Sequence, residues 1–366
     1  MKILQVCRQY YPCVGGVERF VADLSARLIA RGHTVQVATL DRCWRGGSKL
    51  PAGETVNGVP VHRLPFVGGA LFFAAPAILR LVKDFDLVHV HNTDFFLDYL
   101  SLTGFTHGRP LVVSTHGGFF HTDDHAKIKR VYFNLVTSRA LRAAAAVIPN
   151  SAGDERRFGP HARRAARIDN ALDFNTFARA QRDPAPGRLI TVGRLSANKN
   201  VSTLLKVFAE AHALRSDLTL VVVGVGPARA ELESQSAGLK IADAVRWTGE
   251  VSDEQLCAEL AAAEIFVSAS RYEGFGLALL EAMAAGVIPV VNKIEAFREV
   301  IADGQDGFLV NYLRPEAASQ MLLRVAGLPS EWRAQLSAQA KSRASQFDWA
   351  DALPKFEEVY RTVLTT

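Results

Sequence analysis

Two carboxylates, Glu273 and Glu281, bracket the segment E-G-F-G-L-A-L-L-E within residues 271–291. Gly274 and Gly276 permit a sharp turn with no Cβ in the way, and Leu277 to Ala285 is a run of strong helix formers. The turn therefore brings the backbone N–H groups of Phe275, Gly276 and Leu277 to a helix N-terminus. Unpaired N–H groups and the positive end of the helix dipole there suit a diphosphate or the polar edge of a sugar. Glu273 can accept hydrogen bonds from sugar hydroxyls, and Glu281, two turns along, can hold a second diol such as a ribose. A surface loop ahead of an ordinary amphipathic helix would read the same way if the segment stood alone.

Cations of matching chemistry occur in V-G-R-L-S-A-N-K-N, residues 192–200. Arg194 and Lys199 follow an apolar strand and leave its C-terminal edge. There they can stabilise the charge that builds on the β-phosphate as a nucleoside diphosphate departs, without a metal. Gly15 and Gly16, in V-G-G-V-E at 14–18, stand in the first strand-to-helix loop, where a missing side chain allows close backbone approach to the same diphosphate. His116 ends another strand and opens T-H-G-G-F-F-H at 115–121. His121, Asp123, Asp124 and His125 form an H-x-D-D-H cluster whose residue types can ligate a transition metal. Acceptor-facing polar residues account for that cluster as well, and the cation-rich site needs no metal ion.

The Glu-x7-Glu segment, together with the segments at 14–18, 115–121 and 192–200, resembles the retaining glycosyltransferases of family 4 over most of the chain. The resemblance implies an α/β architecture of the GT-B type, two Rossmann-like doubly wound domains facing each other across a cleft. It implies that Arg194 and Lys199 bind the donor diphosphate, that the Gly16 loop lies against phosphates and sugar, and that His116 hydrogen-bonds the donor sugar near the reaction centre. Retention by a glycosidase uses a carboxylate nucleophile. The family precedent is instead front-face attack, in which the departing diphosphate takes the acceptor proton and Glu273 holds the sugar. Catalytic roles then fall to His116, Arg194, Lys199 and Glu273. Donor contacts come from Gly15, Gly16, Gly274, Phe275, Gly276, Leu277 and Glu281 as well, and no cofactor is implied. One departure is I-D-N-A-L-D at 168–173, where Ala171 stands in place of a common glycine while Asn170 and Asp173 match.

The stretches D-L-V-H-V-H-N-T-D-F-F-L-D-Y-L at 86–100 and V-S-T-H-G-G-F-F-H-T at 113–122 look like those of α-mannosyltransferases that extend cellobiosyl-diphospho-polyprenol in xanthan- and acetan-type exopolysaccharide assembly. That likeness implies GDP-mannose as donor, α-1,3 transfer to a polyprenol-diphosphate-linked oligosaccharide, and Asp94 and His121 on the acceptor side. It also implies a cytoplasmic enzyme, peripheral on the inner face of the cell membrane. Another nucleotide sugar used on a lipopolysaccharide or lipid acceptor is the alternative, because fold does not set function.

The elements that must position these groups alternate between strand and helix, the pattern of a doubly wound parallel sheet. Apolar runs predict strands beginning at residues 2, 35, 59, 87, 111 and 146, with helical spacing over 17–31 and 127–144. R-D-P-A-P-G at 182–187 interrupts the pattern, which restarts with strands near 189, 218, 245, 265 and 288. The expected organisation is an acceptor-side domain at 1–168, a linker at 169–187, a nucleotide-sugar domain at 188–348, and a final helix within 349–366 that by resemblance crosses back to the first domain.

A chain of 366 residues, 49% hydrophobic and 22% charged, has room for two such domains. Residues 1–168 carry 22 Lys plus Arg against 12 Asp plus Glu, a net of +10, whereas residues 169–366 carry 20 against 25, a net of −5. A basic first half suits anionic lipid or nucleic acid. Without interleaved aromatic and basic residues to stack bases, nucleic acid is not the expected partner. Four cysteines, Cys7, Cys13, Cys43 and Cys257, show no metal spacing and no disulfide framework and read as free thiols in a reducing cytoplasm. The N-terminal apolar run is too short for a signal peptide and reads as a first strand. Phe66 to Val82 is apolar but broken by two glycines, a proline and Arg80; it either packs on the first sheet or lies in the membrane interface with Phe72 and Phe73 inserted and Arg80 and Lys83 at the headgroups.

Overall fold

A computed structural model describes residues 1–13, 15–43, 47–69, 73–117, 126–179 and 181–365, with the side chains of 126 and 127 outside the description. The chain divides into two units, Met1–Asn170 with Ala350–Thr366, and Ala171–Trp349.

Unit 1 begins with β1 (Lys2–Val6), α1 (Gly16–Ala30) and β2 (Thr34–Leu40). An antiparallel pair follows, β3 (Gly53–Val56) and β4 (Val59–Leu64), joined by Asn57-Gly58 with both residues at positive φ, the geometry of a tight hairpin turn. The two-residue strands β5 (Val67–Gly68) and β6 (Phe73–Ala74) form a small separate ribbon. The strands β7 (Leu87–His91), β8 (Leu111–Ser114) and β9 (Ala146–Ile148) complete a seven-stranded sheet of order β3-β4-β2-β1-β7-β8-β9. Apart from the β3 edge it is parallel, and its central strands are near-continuous runs of buried Val, Ile and Leu, as a sheet covered on both faces requires.

Unit 2 repeats the plan with β10 (Arg188–Val192), β11 (Thr219–Val223), β12 (Val245–Gly249), β13 (Ile265–Ser268), β14 (Ile288–Asn292) and β15 (Phe308–Val310). They form one parallel sheet of order β12-β11-β10-β13-β14-β15.

Several expectations change. The helix expected over 127–144 is two α-helical pieces, Ala126–Tyr132 and Ser138–Ala143, joined by a π-helical segment Phe133–Thr137. The stretch read as a linker is packed: Leu172 and Phe177 are buried in the unit 2 core, and the amides of Asp183 and Ala185 donate to the carbonyls of Ala261 and Ala262. Of the two placements open to the apolar segment 66–82, packing on the first sheet is the one its described residues largely take. Phe73, Ala75, Ile78 and Val82 are buried, and Phe73 packs on Phe95 and Phe96 at 5.3 and 5.0 Å, because a broken apolar run between strands is drawn onto the sheet. Phe72 lies outside the described residues. Cys13 and Cys43 are joined by a disulfide, with Cα atoms 5.8 Å apart, while Cys7 and Cys257 remain thiols. The loops after β1 and β2, neighbouring parallel strands, emerge side by side and bring these two cysteines together, which their spacing in sequence does not show.

The last helix, Trp349–Thr365, packs on unit 1. Phe356 meets Phe20 at 6.0 Å, and Glu357 takes His33 at 2.9 Å and Arg31 at 3.4 Å. Among the described residues no helix is long and apolar enough to cross a membrane.

Candidate functional site

Strand order places the site in unit 2. The chain runs from β10 to one side of the sheet and returns through β13 to the other, so the loops after β10 and β13 diverge at a topological switch point, where open α/β sheets bind ligands beyond the carboxyl ends of their strands. Lys199 comes from the first of these loops and Glu273 from the second. Lys199 Nζ donates to Glu273 Oε1 at 2.6 Å, with the side chains 22% and 14% exposed, and Ser270 Oγ donates to the same oxygen at 2.7 Å. The loops are laced together by Arg271 N to Asn198 O (2.8 Å) and Asn200 Nδ2 to Ala269 O (3.3 Å), and Asn292, at the end of β14, donates through Nδ2 to Ser270 O at 2.8 Å. A pocket at these strand ends is lined by Gly193, Arg194, Lys199, Ser268 and Ser270. Arg194 is exposed at its mouth.

Beyond Glu273 the chain enters the helix Leu277–Ala284 through Gly276, whose φ of +103° is open to glycine alone at low cost; a Cβ there would lie 2.9 Å from Phe297 Cε1. Leu279 N and Leu280 N bond to Gly276 O at 3.0 and 3.2 Å, so the amides at 277 and 278 precede the helical ladder. No side chain caps this end. Gly274 is exposed on the approach. The Phe275 ring is buried edge-on to Phe347 at 5.6 Å, which leaves only its backbone for a ligand. Glu281 is buried on the second turn.

Unit 1 has its own switch point between β1 and β7. Gly15 and Gly16 form the entry to α1; a Cβ built at Gly16 would meet nothing within 4 Å, whereas one at Gly15 would lie 2.6 Å from Glu18 Oε2, so a carboxylate stands beside that helix end. His116, just past β8, is held in the left-handed region at φ +45°. Its N–H donates to Asn150 Oδ1 at 3.2 Å and the next amide, of Gly117, donates to Asp154 Oδ2 at 2.8 Å, while Thr115 Oγ1 donates to the same carboxylate. Two polar side chains thus hold a strained residue in place. Burial lowers the His116 pKa to about 3, which keeps its imidazole neutral.

Asp94, expected on the acceptor side, caps the helix Phe95–Leu102 by accepting from Phe96 N at 3.0 Å. Burial raises its pKa to about 7 against the pull of Arg8. Its second oxygen is buried without a hydrogen-bond partner among the described residues. His121, and with it the H-x-D-D-H cluster, lies outside the described residues, as does Val14.

The structure therefore joins Lys199 to Glu273 and sets the Leu277–Ala284 helix end beside them, while His116, Gly15 and Gly16 belong to unit 1. Sequence reasoning missed Ser270 and Asn292, which hold Glu273 and its loop, and missed the buried histidines of β7. The alternation H-V-H in a strand puts His89 and His91 on one face, a signal that was available.

Comparison with known proteins agrees with this arrangement. The profile of Glycosyltransferase Family 4 matches residues 14–174, and that of Glycosyl transferases group 1 matches residues 174–343. The GDP-mannose:cellobiosyl-diphosphopolyprenol alpha-mannosyltransferase of Xanthomonas campestris is 33% identical over 100% of the chain and 98% of its own length. The protein of the same name from Komagataeibacter xylinus is 33% identical over 100% of the chain and 94% of its own length. Among solved structures, Anabaena HepE in complex with UDP and glucose matches with a TM-score of 0.79 at 21% identity, over 99% of each chain, which shows a shared fold.

Proposed function

The chain belongs to glycosyltransferase family 4, and from that membership we propose that it transfers mannose from GDP-mannose, with retention of configuration, to a cellobiosyl-diphosphopolyprenol acceptor. The observation that carries this reading is identity of 33% extending over the whole chain to relatives that bear that name.

The residues supply a consistent chemistry. Arg194 and Lys199 neutralise the diphosphate as charge builds on it, aided by the uncapped N-terminus of the Leu277–Ala284 helix. Glu273, braced by Lys199 and Ser270, accepts hydrogen bonds from mannose hydroxyls, and Glu281 takes the ribose. Neutral His116 contacts the sugar from unit 1. The acceptor hydroxyl enters on the face the diphosphate leaves, and the departing phosphate takes its proton.

The lipid-linked acceptor calls for a membrane-facing surface, and the reading places it on unit 1 at the inner face of the cell membrane. Ile128, Val131 and Leu135 are exposed at helical spacing, and Leu102 and Phe105 are exposed on the neighbouring segment, to which the Ser138–Ala143 helix is tied by Ser101 Oγ donating to Ala140 O at 3.3 Å. Exposed Arg130, Arg139 and Arg142 accompany them. Apolar side chains among cations suit an anionic lipid surface.

The test is a panel of nucleotide sugars offered with polyprenol-linked cellobiose and read by mass spectrometry. A single added hexose from GDP-mannose alone is expected. Transfer from a UDP-sugar with none from GDP-mannose would overturn the donor assignment.

A further inference from the structure

The two oxygens of Glu273 stand in different surroundings. Oε1 accepts from Lys199 Nζ at 2.6 Å and from Ser270 Oγ at 2.7 Å, which fills both of its lone-pair directions. Oε2 takes no hydrogen bond among the described residues and, in contrast to the second oxygen of Asp94, is not sealed from solvent.

The lysine alone does not create this difference, because an ammonium is a compact charge on a flexible stem, about which a carboxylate can swing. Direction comes from Ser270. Its side chain is short, the residue is fully buried, and its backbone is held on both sides: its carbonyl accepts from Asn292 Nδ2 at 2.8 Å, and the next amide, of Arg271, donates to Asn198 O at 2.8 Å. Asn292 is itself oriented, since its Oδ1 accepts the amides of Lys293 and Tyr312 at 3.0 and 3.3 Å, which turns Nδ2 toward Ser270. A carboxylate only accepts, so Ser270 gives its one hydroxyl proton to Glu273. Ser268 Oγ, buried at the end of β13 and 3.0 Å away, must then donate to Ser270 Oγ. A hydroxyl that accepts from a second hydroxyl is polarised into a stronger donor.

We propose that Ser270, backed by Ser268, is a positioning residue that occupies Oε1 of Glu273 together with Lys199 and so dedicates Oε2 to the transferred sugar, with room for two neighbouring hydroxyls. The proposal rests on the reading of Glu273 as a donor-sugar contact. Lys199 is thereby shared between the sugar and the diphosphate, whereas the serines serve the sugar alone.

The test uses GDP-mannose analogues in which one mannose hydroxyl at a time is replaced by hydrogen, offered to wild type, Glu273→Gln and Ser270→Ala, beside calorimetric titration of GDP. In Glu273→Gln the amide oxygen stays with Lys199 and Ser270, and an NH2 group, which only donates, stands where Oε2 was. In wild type, loss of one hydroxyl, or of either of two neighbours, should lower kcat/KM roughly 10- to 100-fold, the worth of a hydrogen bond to a charged group. That cost should shrink to about threefold or less in both variants, at those positions and no others, while Ser270→Ala binds GDP within about twofold of wild type. Ser270→Cys, which keeps a small side chain with a weak donor, serves the same purpose if Ser270→Ala fails to fold. Hydroxyl costs unmoved in a folded Ser270 variant, where Glu273→Gln abolishes one of them, overturn the proposal and leave the sugar contact standing; so does a large loss of GDP binding in that variant. Costs unmoved in Glu273→Gln as well sink the sugar-contact reading of Glu273, and the proposal with it.

Discussion

The Lys199–Glu273 pair allows a prediction in which two substitutions of one contact have opposite signs. The charges meet at 2.6 Å and are mostly buried, and Ser270 Oγ remains on Glu273 at 2.7 Å when the lysine is removed. If Lys199 serves the leaving diphosphate, Lys199→Met deletes a charge-assisted contact to a developing anion, and kcat should fall by about two to three powers of ten. GDP should also bind more weakly. Glu273→Gln keeps the size and the Ser270 hydrogen bond but leaves the lysine unneutralised. A phosphate about 4 Å from the ammonium gains about 4 kcal/mol at an effective dielectric constant near 20, while a carboxylate roughly 7 Å from that phosphate opposes it by about 2 kcal/mol. Solvent and salt reduce the second figure to about 1–2 kcal/mol, so GDP should bind roughly 5- to 30-fold more tightly to Glu273→Gln even as transfer slows for want of a sugar contact. Calorimetric titration of GDP into each variant, beside steady-state transfer, checks both signs. Weakened GDP binding in both variants, or unchanged binding in both, would mean that the pair only staples two loops together.

The helix entrance gives a second test: Gly276→Ala combines a left-handed backbone with a methyl group 2.9 Å from the buried Phe297 ring, and should cost about 2–5 kcal/mol in urea unfolding and weaken GDP binding alongside. Burial raises the Asp94 pKa to about 7, so between the ordinary carboxylate range and pH 7 the unfolded chain loses a proton that the folded one keeps, and ionisation disfavours the fold as pH rises. Asp94→Asn retains the helix cap and should therefore gain stability relative to wild type between pH 4.5 and 7.5, by at most about 1.4 kcal/mol per pH unit, measured by paired denaturation midpoints; a pH-independent difference would refute the buried ionisation. Sedimentation with liposomes of rising phosphatidylglycerol content should carry the wild type down in a salt-sensitive manner. Phe105→Ser with Leu135→Ser, and separately Arg130, Arg139 and Arg142 to Gln, should each reduce it; equal sedimentation of all three proteins would assign the surface another role.

Much of the fold was legible because its signals are local. Buried parallel strands declare themselves as apolar runs, and Gly276 and the cations at 194 and 199 mark turns and strand ends by their own chemistry. The β3–β4 hairpin was equally legible, through Asn57-Gly58, and was overlooked. The short strand β15 was overlooked as well, since three residues give too little periodicity to read. The π-helical break at Phe133–Thr137 interrupts a sequence with good helical spacing at both ends and leaves no mark in it.

The sequence by itself determined which functional groups exist and that each stands at the end of a strand or the start of a helix, because those placements depend on propensity within a few residues. Which groups meet was decided by strand order. Parallel strands with crossover connections bring together loops distant along the chain, so that Lys199 finds Glu273 across 74 residues, Cys13 finds Cys43, and Gln5 reaches His116 through His91. No local pattern encodes those encounters: they follow from where the whole hydrophobic core sets β1 between β2 and β7 and β10 beside β13, and the disulfide, the histidine contacts and the brace on Glu273 each depend on one of those pairings.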